Sequence, residues 1–127
     1  MGSSVLDASA ILAVIFNEPG NEVVAPLLQD AVVSSVNLAE VHTRLLLDGA
    51  PAAFAWSRLL SMGFEVSQFD EEQARIAGEL IKQTRPLGLS LGDRACLALA
   101  IQRRSTVYTT DRAWKDLSLG IHVAVIR

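Results

Sequence analysis

Residues 3–16 read SSVLDASAILAVIF, and this stretch decides the fold. Residues 3–6 form a short strand candidate that ends at Asp7, and residues 8–16 are an apolar run of good helix formers that stops before Pro19-Gly20. Strand, acid and helix follow one another without a spacer. The same order returns near the other end, where residues 106–109 read as a strand and Asp111 opens a short helix over 111–117. Between them, a helix over 21–29, kinked or shortened by Pro26, leads to a strand at 31–34. Ser35 or Asn37 then caps a helix with Leu38, Val41, Leu45 and Leu46 at three-and-four spacing, ended by Gly49-Ala50-Pro51; Glu40 falls in its first turn or so. A helix over 52–62, a strand at 64–69, an Asp70-capped helix to about 84, an apolar helix from Ser90 to about 103 and a strand at 122–126 complete the pattern. Strands alternating with helices imply a parallel sheet covered on both faces, an α/β fold with its ligand site beyond the carboxyl ends of the strands. Asp7 and Asp111 each stand at such an end.

The chain has 127 residues, half of them hydrophobic, which suits a single compact domain over 1–127. Its apolar runs fall short of the roughly 20 residues that cross a bilayer, so no membrane association is expected. The first residues lack a secretory pattern and Cys96 is the only cysteine, so a cytoplasmic location without an intrachain disulfide is the expectation. Cys96, inside the run ACLALA, reads as a small core residue. The net charge of −3 argues against a general polyanion binder but hides an asymmetry. Residues 1–72 carry 2 basic and 10 acidic side chains, whereas residues 73–127 carry 9 and 4. That division is compatible with one surface meeting phosphates.

Glu40 and Asp93 fall near helix starts, which directs them toward the same edge as Asp7 and Asp111. A single acid there is ordinarily a cap or a dipole contact. Four together raise one another's pKa or require a counter-cation, and a hard divalent ion with oxygen ligands, Mg²⁺ or Mn²⁺, answers that need. No cysteine pair or histidine-rich segment exists to build a zinc site. An aspartyl-nucleophile phosphatase wants a second aspartate where Ser9 stands; there is no phosphate-binding lysine loop and no dinucleotide fingerprint. His42 lies about 200° around a helix from Glu40 and faces away from it. His122 has no evident partner, and Trp56 and Trp114 read as core or interface rather than base-stacking residues.

Four segments, VLDASA (5–10), SVNLAEV (35–41), LSLGDRACLALA (89–100) and VYTTDRAW (107–114), resemble the successive motifs of PIN domains, specifically those of VapC toxins from type II toxin–antitoxin pairs. The resemblance spans nearly the whole chain in the right order. It implies a three-layer α/β/α fold with a central parallel sheet of about four or five strands flanked by helices. It also implies a Mg²⁺- or Mn²⁺-dependent endoribonuclease that hydrolyses RNA phosphodiester bonds, frequent homodimers, and inhibition by a cognate VapB-type antitoxin. By position, Asp7, Glu40, Asp93 and Asp111 match the family's catalytic, metal-binding acids. Ser9, Asn37 and Thr110 match polar neighbours that orient carboxylates or water, and Asp116 matches a further acid found in some members. Arg94, Arg112 and Lys115 flank the acids and are candidates to grip RNA phosphates, while Ile11, Leu12, Ile15 and Phe16 belong either to the core or to an antitoxin groove. The competing readings are a catalytically silent PIN-fold module that binds RNA or protein, and a housekeeping RNA-processing nuclease.

Overall fold

Among the described residues, five short strands joined by helices and 3₁₀ turns make the frame of the molecule. The computed structural model describes residues 4–127, so residue 3 of the first strand candidate lies outside the described residues. The elements run β1 (Ser4–Leu6), α1 (Ala8–Ile15), α2 (Asn21–Val24), a 3₁₀ turn (Ala25–Asp30), β2 (Ala31–Ser34), α3 (Ser35–Leu47), α4 (Ala52–Leu60) and β3 (Glu65–Ser67). Then follow α5 (Glu71–Glu79), α6 (Ile81–Thr84), a 3₁₀ turn (Arg85–Leu87), α7 (Leu91–Arg103), β4 (Thr106–Thr109), a 3₁₀ turn (Arg112–Asp116) and β5 (Val123–Val125).

The strands pair in the order β3-β2-β1-β4-β5, all parallel. Because side chains alternate along a strand, each strand feeds two cores. Val5, Val32 and Val107 face one side and pack with Leu97, Leu99 and Trp114. Leu6, Ala31 and Val33 face the other and pack with Ile11, Leu38, Val41 and Leu59. Helix α7 lies with the first core, and α1, α3 and α4 lie with the second, which gives the expected α/β/α layering. The chain builds outward from β1 through β2 to β3, then returns to lay β4 on the opposite side of β1. That reversal leaves a crevice beyond the carboxyl ends of β1 and β4, the position where open parallel sheets bind ligands.

Several boundaries differ from the sequence expectation. Pro26 has no N–H to donate, and the helix at 21–29 turns into a 3₁₀ turn from Ala25. Ser34, rather than Ser35 or Asn37, caps α3, accepting from the Val36 N–H at 3.2 Å. Ser35 instead accepts from the Phe69 N–H across the edge of the sheet at 3.1 Å. Glu40 consequently sits in the second turn, with Asn37 one turn before it. The helix begun by Asp70 breaks at Leu80 into α5 and α6, the edge strands β3 and β5 are shorter than their apolar patterns, and the segment after Asp111 is 3₁₀ rather than α. Among the described residues no helix is long and apolar enough to cross a membrane.

Candidate functional site

Asp7 is the residue at which β1 becomes α1, and it serves as the cap of that helix: Oδ1 accepts from the Ala10 N–H at 2.8 Å. The same oxygen accepts from Ser9 Oγ at 2.6 Å, and Oδ2 accepts from Thr109 Oγ1 at 2.6 Å. Parallel pairing of Leu6 with Tyr108 is what brings Thr109, more than 100 residues away in sequence, beside Asp7. Burial pushes the Asp7 carboxyl up to about 6, with Ser9, Thr109 and the Ala10 N–H opposing the rise and the charge of Asp93 adding to it.

Thr109 and Ser9 also face outward into a second ring of bonds. Thr109 Oγ1 accepts from the Asp111 N–H at 3.1 Å, and Ser9 Oγ accepts from the Thr110 N–H at 2.9 Å. The two hydroxyls therefore fasten the end of β4 to the Asp7 carboxylate. Thr110, the sequence candidate, takes part through its backbone; the hydroxyl on Asp7 belongs to Thr109, which sequence reasoning passed over.

The acids of α3 and α7 meet by a different device. Asp93 is the third residue of α7 and closes a capping box: its Oδ2 accepts from the Ser90 N–H at 2.8 Å while Ser90 Oγ accepts from the Asp93 N–H at 3.2 Å. Asn37, buried in α3, donates through Nδ2 both to Glu40 Oε1 at 2.8 Å and to the Gly92 carbonyl at 3.0 Å. Gly92 has no side chain, and the Glu40 carboxylate occupies the space that a β-carbon there would fill. Glu40 thus comes to rest against Gly92, in the turn of α7 that carries Asp93. Cys96, one turn further along α7, registers the cluster: burial pushes its thiol well up, and the charges of Asp7, Asp93 and Glu40 add to the rise. It is a core residue, as its sequence context implied.

Asp111 stands at one remove. It is exposed and caps the 3₁₀ turn through the Ala113 N–H at 3.0 Å, and its link to Asp7 runs through the Thr109 hydroxyl. Asp116, at the far end of that turn, is exposed and apart from these bonds. Of the flanking cations, Arg112 donates to the Arg127 carbonyl at 3.2 Å and Lys115 is exposed. Arg94 reaches across to α5: Nη1 donates to the Ala77 carbonyl at 2.9 Å and Nε is buried, so this part of its side chain packs between α5 and α7. Arg103 and Arg104 lie at the opposite end of α7, where Arg103 pairs with Glu65 at 2.7 Å. His42 faces away from the acids and stacks edge-on against Trp56, with ring centroids 5.1 Å apart, while Trp114 is a fully buried core residue.

Two observations test whether a divalent ion suits this cluster. Asn37 Oδ1 is buried without a hydrogen-bond partner, an acceptor left over beside Glu40. Its amide nitrogen is fully used by Glu40 and Gly92, so the orphan is the oxygen. The carboxylates also keep free capacity, since Glu40 uses only Oε1 and Asp93 only Oδ2 in the bonds above. Among the described residues no three His, Cys, Asp or Glu side chains are arranged to hold one ion together. An ion that keeps several of its waters, as Mg²⁺ does, fits such a spread-out set of oxygens through those waters, and a water also answers the orphaned amide oxygen. The donor set therefore fits the group that the resemblance implies.

Comparison with known proteins bears on fold and family. No curated protein matches the chain by sequence. Among solved structures, Mycobacterium tuberculosis VapC20, described as a sarcin-ricin loop cleaving toxin, is 17% identical with a TM-score of 0.74 over 94% of this chain and 99% of that one. A toxin–antitoxin complex from Klebsiella pneumoniae is 16% identical with a TM-score of 0.73, covering 94% and 95% of the two chains. FitAcB from Neisseria gonorrhoeae is 24% identical with a TM-score of 0.70, covering 95% and 96%. At these identities the likeness is one of fold. The family model for the PIN domain matches residues 4–119, from the first strand through the turn after Asp111, and the chain belongs to the PIN domain family.

Proposed function

We propose that this protein is a Mg²⁺- or Mn²⁺-dependent endoribonuclease and the toxin of a toxin–antitoxin pair, with Asp7, Glu40, Asp93 and Asp111 as its acidic site. The observation that carries the reading is the way two acids are held by other elements: Asp7, at the end of β1, by Ser9 and by Thr109 of β4, and Glu40 by Asn37 against Gly92, with the Asn37 amide oxygen left without a partner. Membership of the PIN family supports it, as does the likeness to a toxin described as cleaving the sarcin-ricin loop.

In this reading Asp7 is the fixed point. Ser9, Thr109 and the Ala10 N–H hold its carboxylate and oppose the rise in its pKa that burial imposes, so that it is ionised at neutral pH. Glu40 and Asp93 each keep one carboxylate oxygen outside the bonds described, and Asp111 joins through the Thr109 hydroxyl that also holds Asp7. Asp7, Glu40 and Asp93 would hold a divalent ion, directly or through water, and the ion would supply an activated water and charge stabilisation for phosphodiester hydrolysis. Arg112 and Lys115, exposed beside Asp111, hold flanking phosphates and offset the repulsion between four carboxylates and a polyanion.

The antitoxin is assigned to the apolar side of the molecule, where a groove of about 480 Å³ is lined by Val14, Ile15, Leu45, Phe54, Leu59 and Met62. Of the apolar residues expected there, Ile15 lines the groove and Ile11 is fully buried in the core. A homodimer is part of the same proposal, supported by exposed Trp56 and Leu60 in a second groove beside β3.

The test is cleavage of purified RNA with and without metal. Excess EDTA is expected to abolish cleavage and Mg²⁺ or Mn²⁺ to restore it, and Asp93→Asn is expected to abolish it outright. Metal-free cleavage at full rate overturns the mechanism, and metal-independent RNA binding without cleavage identifies a silent binding module. Expression alone is expected to arrest growth; cleavage in vitro with unimpaired growth identifies a processing nuclease instead.

A further inference from the structure

We propose that Gly92 is a positioning residue of the acidic site, the seat on which the Glu40 carboxylate rests against the first turn of α7. The inference rests on the metal-dependent reading above and adds a residue with no chemistry of its own.

Glycine weakens a helix relative to alanine, so its presence inside α7 asks for a reason. The backbone does not supply one. Gly92 is absent from the positive-φ glycines, whereas Gly20, Gly49, Gly63, Gly88 and Gly120 all hold that conformation. Any L-residue can adopt the backbone of Gly92. What a side chain cannot do there is coexist with Glu40, because a β-carbon built on Gly92 falls on the carboxylate and against both of its oxygens. The Asn37 amide closes the arrangement by bonding the Gly92 carbonyl and Glu40 Oε1 at once, which joins α3 to α7 at this point. Seating Glu40 on Gly92 holds its carboxylate against the first turn of α7, the turn that also carries Asp93.

The obstacle is the far end of a flexible and exposed side chain, so adding a methyl group displaces Glu40 without disturbing the core. Gly92→Ala should therefore fold as well as the wild type, or better, while losing the geometry of its acids. A merely structural glycine behaves in the opposite way.

The experiment titrates Mn²⁺ alone into the full chain at neutral pH, followed by calorimetry or by the paramagnetic resonance of the free ion, with metal-free melting recorded for every variant. Gly92→Ala is expected to weaken Mn²⁺ binding at least tenfold with its melting temperature unchanged or raised. Combining it with Glu40→Asp, one methylene shorter, should recover part of that loss. Asn37→Ser, which removes the amide bridge and adds nothing at Gly92, should weaken binding in the same direction. Tight Mn²⁺ binding by the wild type and equal binding by Gly92→Ala overturns the seat alone. A double variant that binds no better than Gly92→Ala overturns the collision as its cause. Absence of Mn²⁺ binding in the wild type overturns the metal reading itself, and the seat with it.

Discussion

Asp7 joins two demands in one side chain: it caps a helix, and it is a buried acid near another acid. Its pKa, raised from 3.8 to about 6 by burial, means that the folded chain holds this proton more tightly than the unfolded one. The stability linked to it is complete below pH 4 and is lost as pH rises through about 6, at a cost of up to about 3 kcal/mol for this group. Asp7→Asn removes the charge and keeps the acceptor for Ser9 and Ala10, although Thr109 must reorient toward an amide nitrogen. In EDTA at pH 7 the variant is expected to be more stable than the wild type by about 1–2 kcal/mol, with the advantage gone at pH 4. Urea denaturation at the two pH values checks this, and a variant less stable at pH 7 contradicts it. Asp7 and Asp111 stood out in the sequence because each follows a strand and caps the turn after it, whereas Glu40 lies in the second turn of α3 with no such junction to mark it. The holders of these acids were less legible. Successive strand residues point to opposite faces, and which of Thr109 and Thr110 faces Asp7 depends on the register between β4 and β1, a tertiary fact. Gly92 left no mark either, since its meaning lies in a side chain from another helix.

At the scale of elements, local rules performed well where one element decides its own fate. The helix start at Ser90, the Asp70 cap and the strand at Thr106–Thr109 follow from short stretches alone. Where packing decides, they gave way, as in the break at Leu80 and the shortened edge strands. Arg94 belongs to this scale. Adjacent helix residues point about 100° apart, so a helix that turns Asp93 toward the crevice turns Arg94 toward α5. Arg94→Ala is expected to cost roughly 1.5–3 kcal/mol through the lost bond to the Ala77 carbonyl and to leave the salt dependence of RNA affinity unchanged. Arg112→Ala and Lys115→Ala should instead make the slope of log affinity against log salt shallower by about 0.7 each, with little change in stability. Titrations at several salt concentrations on an Asp7→Asn background separate the two classes. A shallower slope for Arg94→Ala returns that residue to the RNA surface.

The whole molecule is held by pairings that are distant in sequence, and its charge asymmetry is partly cancelled the same way. Glu65 pairs with Arg103 and Glu18 with Arg127, so acidic residues of the first part meet basic residues of the second. Alternation of strands and helices made the parallel sheet and its layers readable from sequence. The position of β4 against β1 was not, because no local signal says which earlier strand a late one will join. A chain ended at residue 105 lacks Val107 and Trp114 from its first core and leaves β1 unpaired along one side. It is expected to melt without a cooperative transition by circular dichroism, and a transition near that of the full chain would show that β4 and β5 are dispensable. The same arrangement sets a clock on synthesis. The hydroxyl that grips Asp7 arrives with Thr109, 102 residues after the carboxylate it holds, so the first strand waits for the fourth before its acid has a frame. For the nuclease proposed above, a growing polypeptide that has not yet delivered β4 has no framed acid and stays harmless to the messenger and ribosome that produce it.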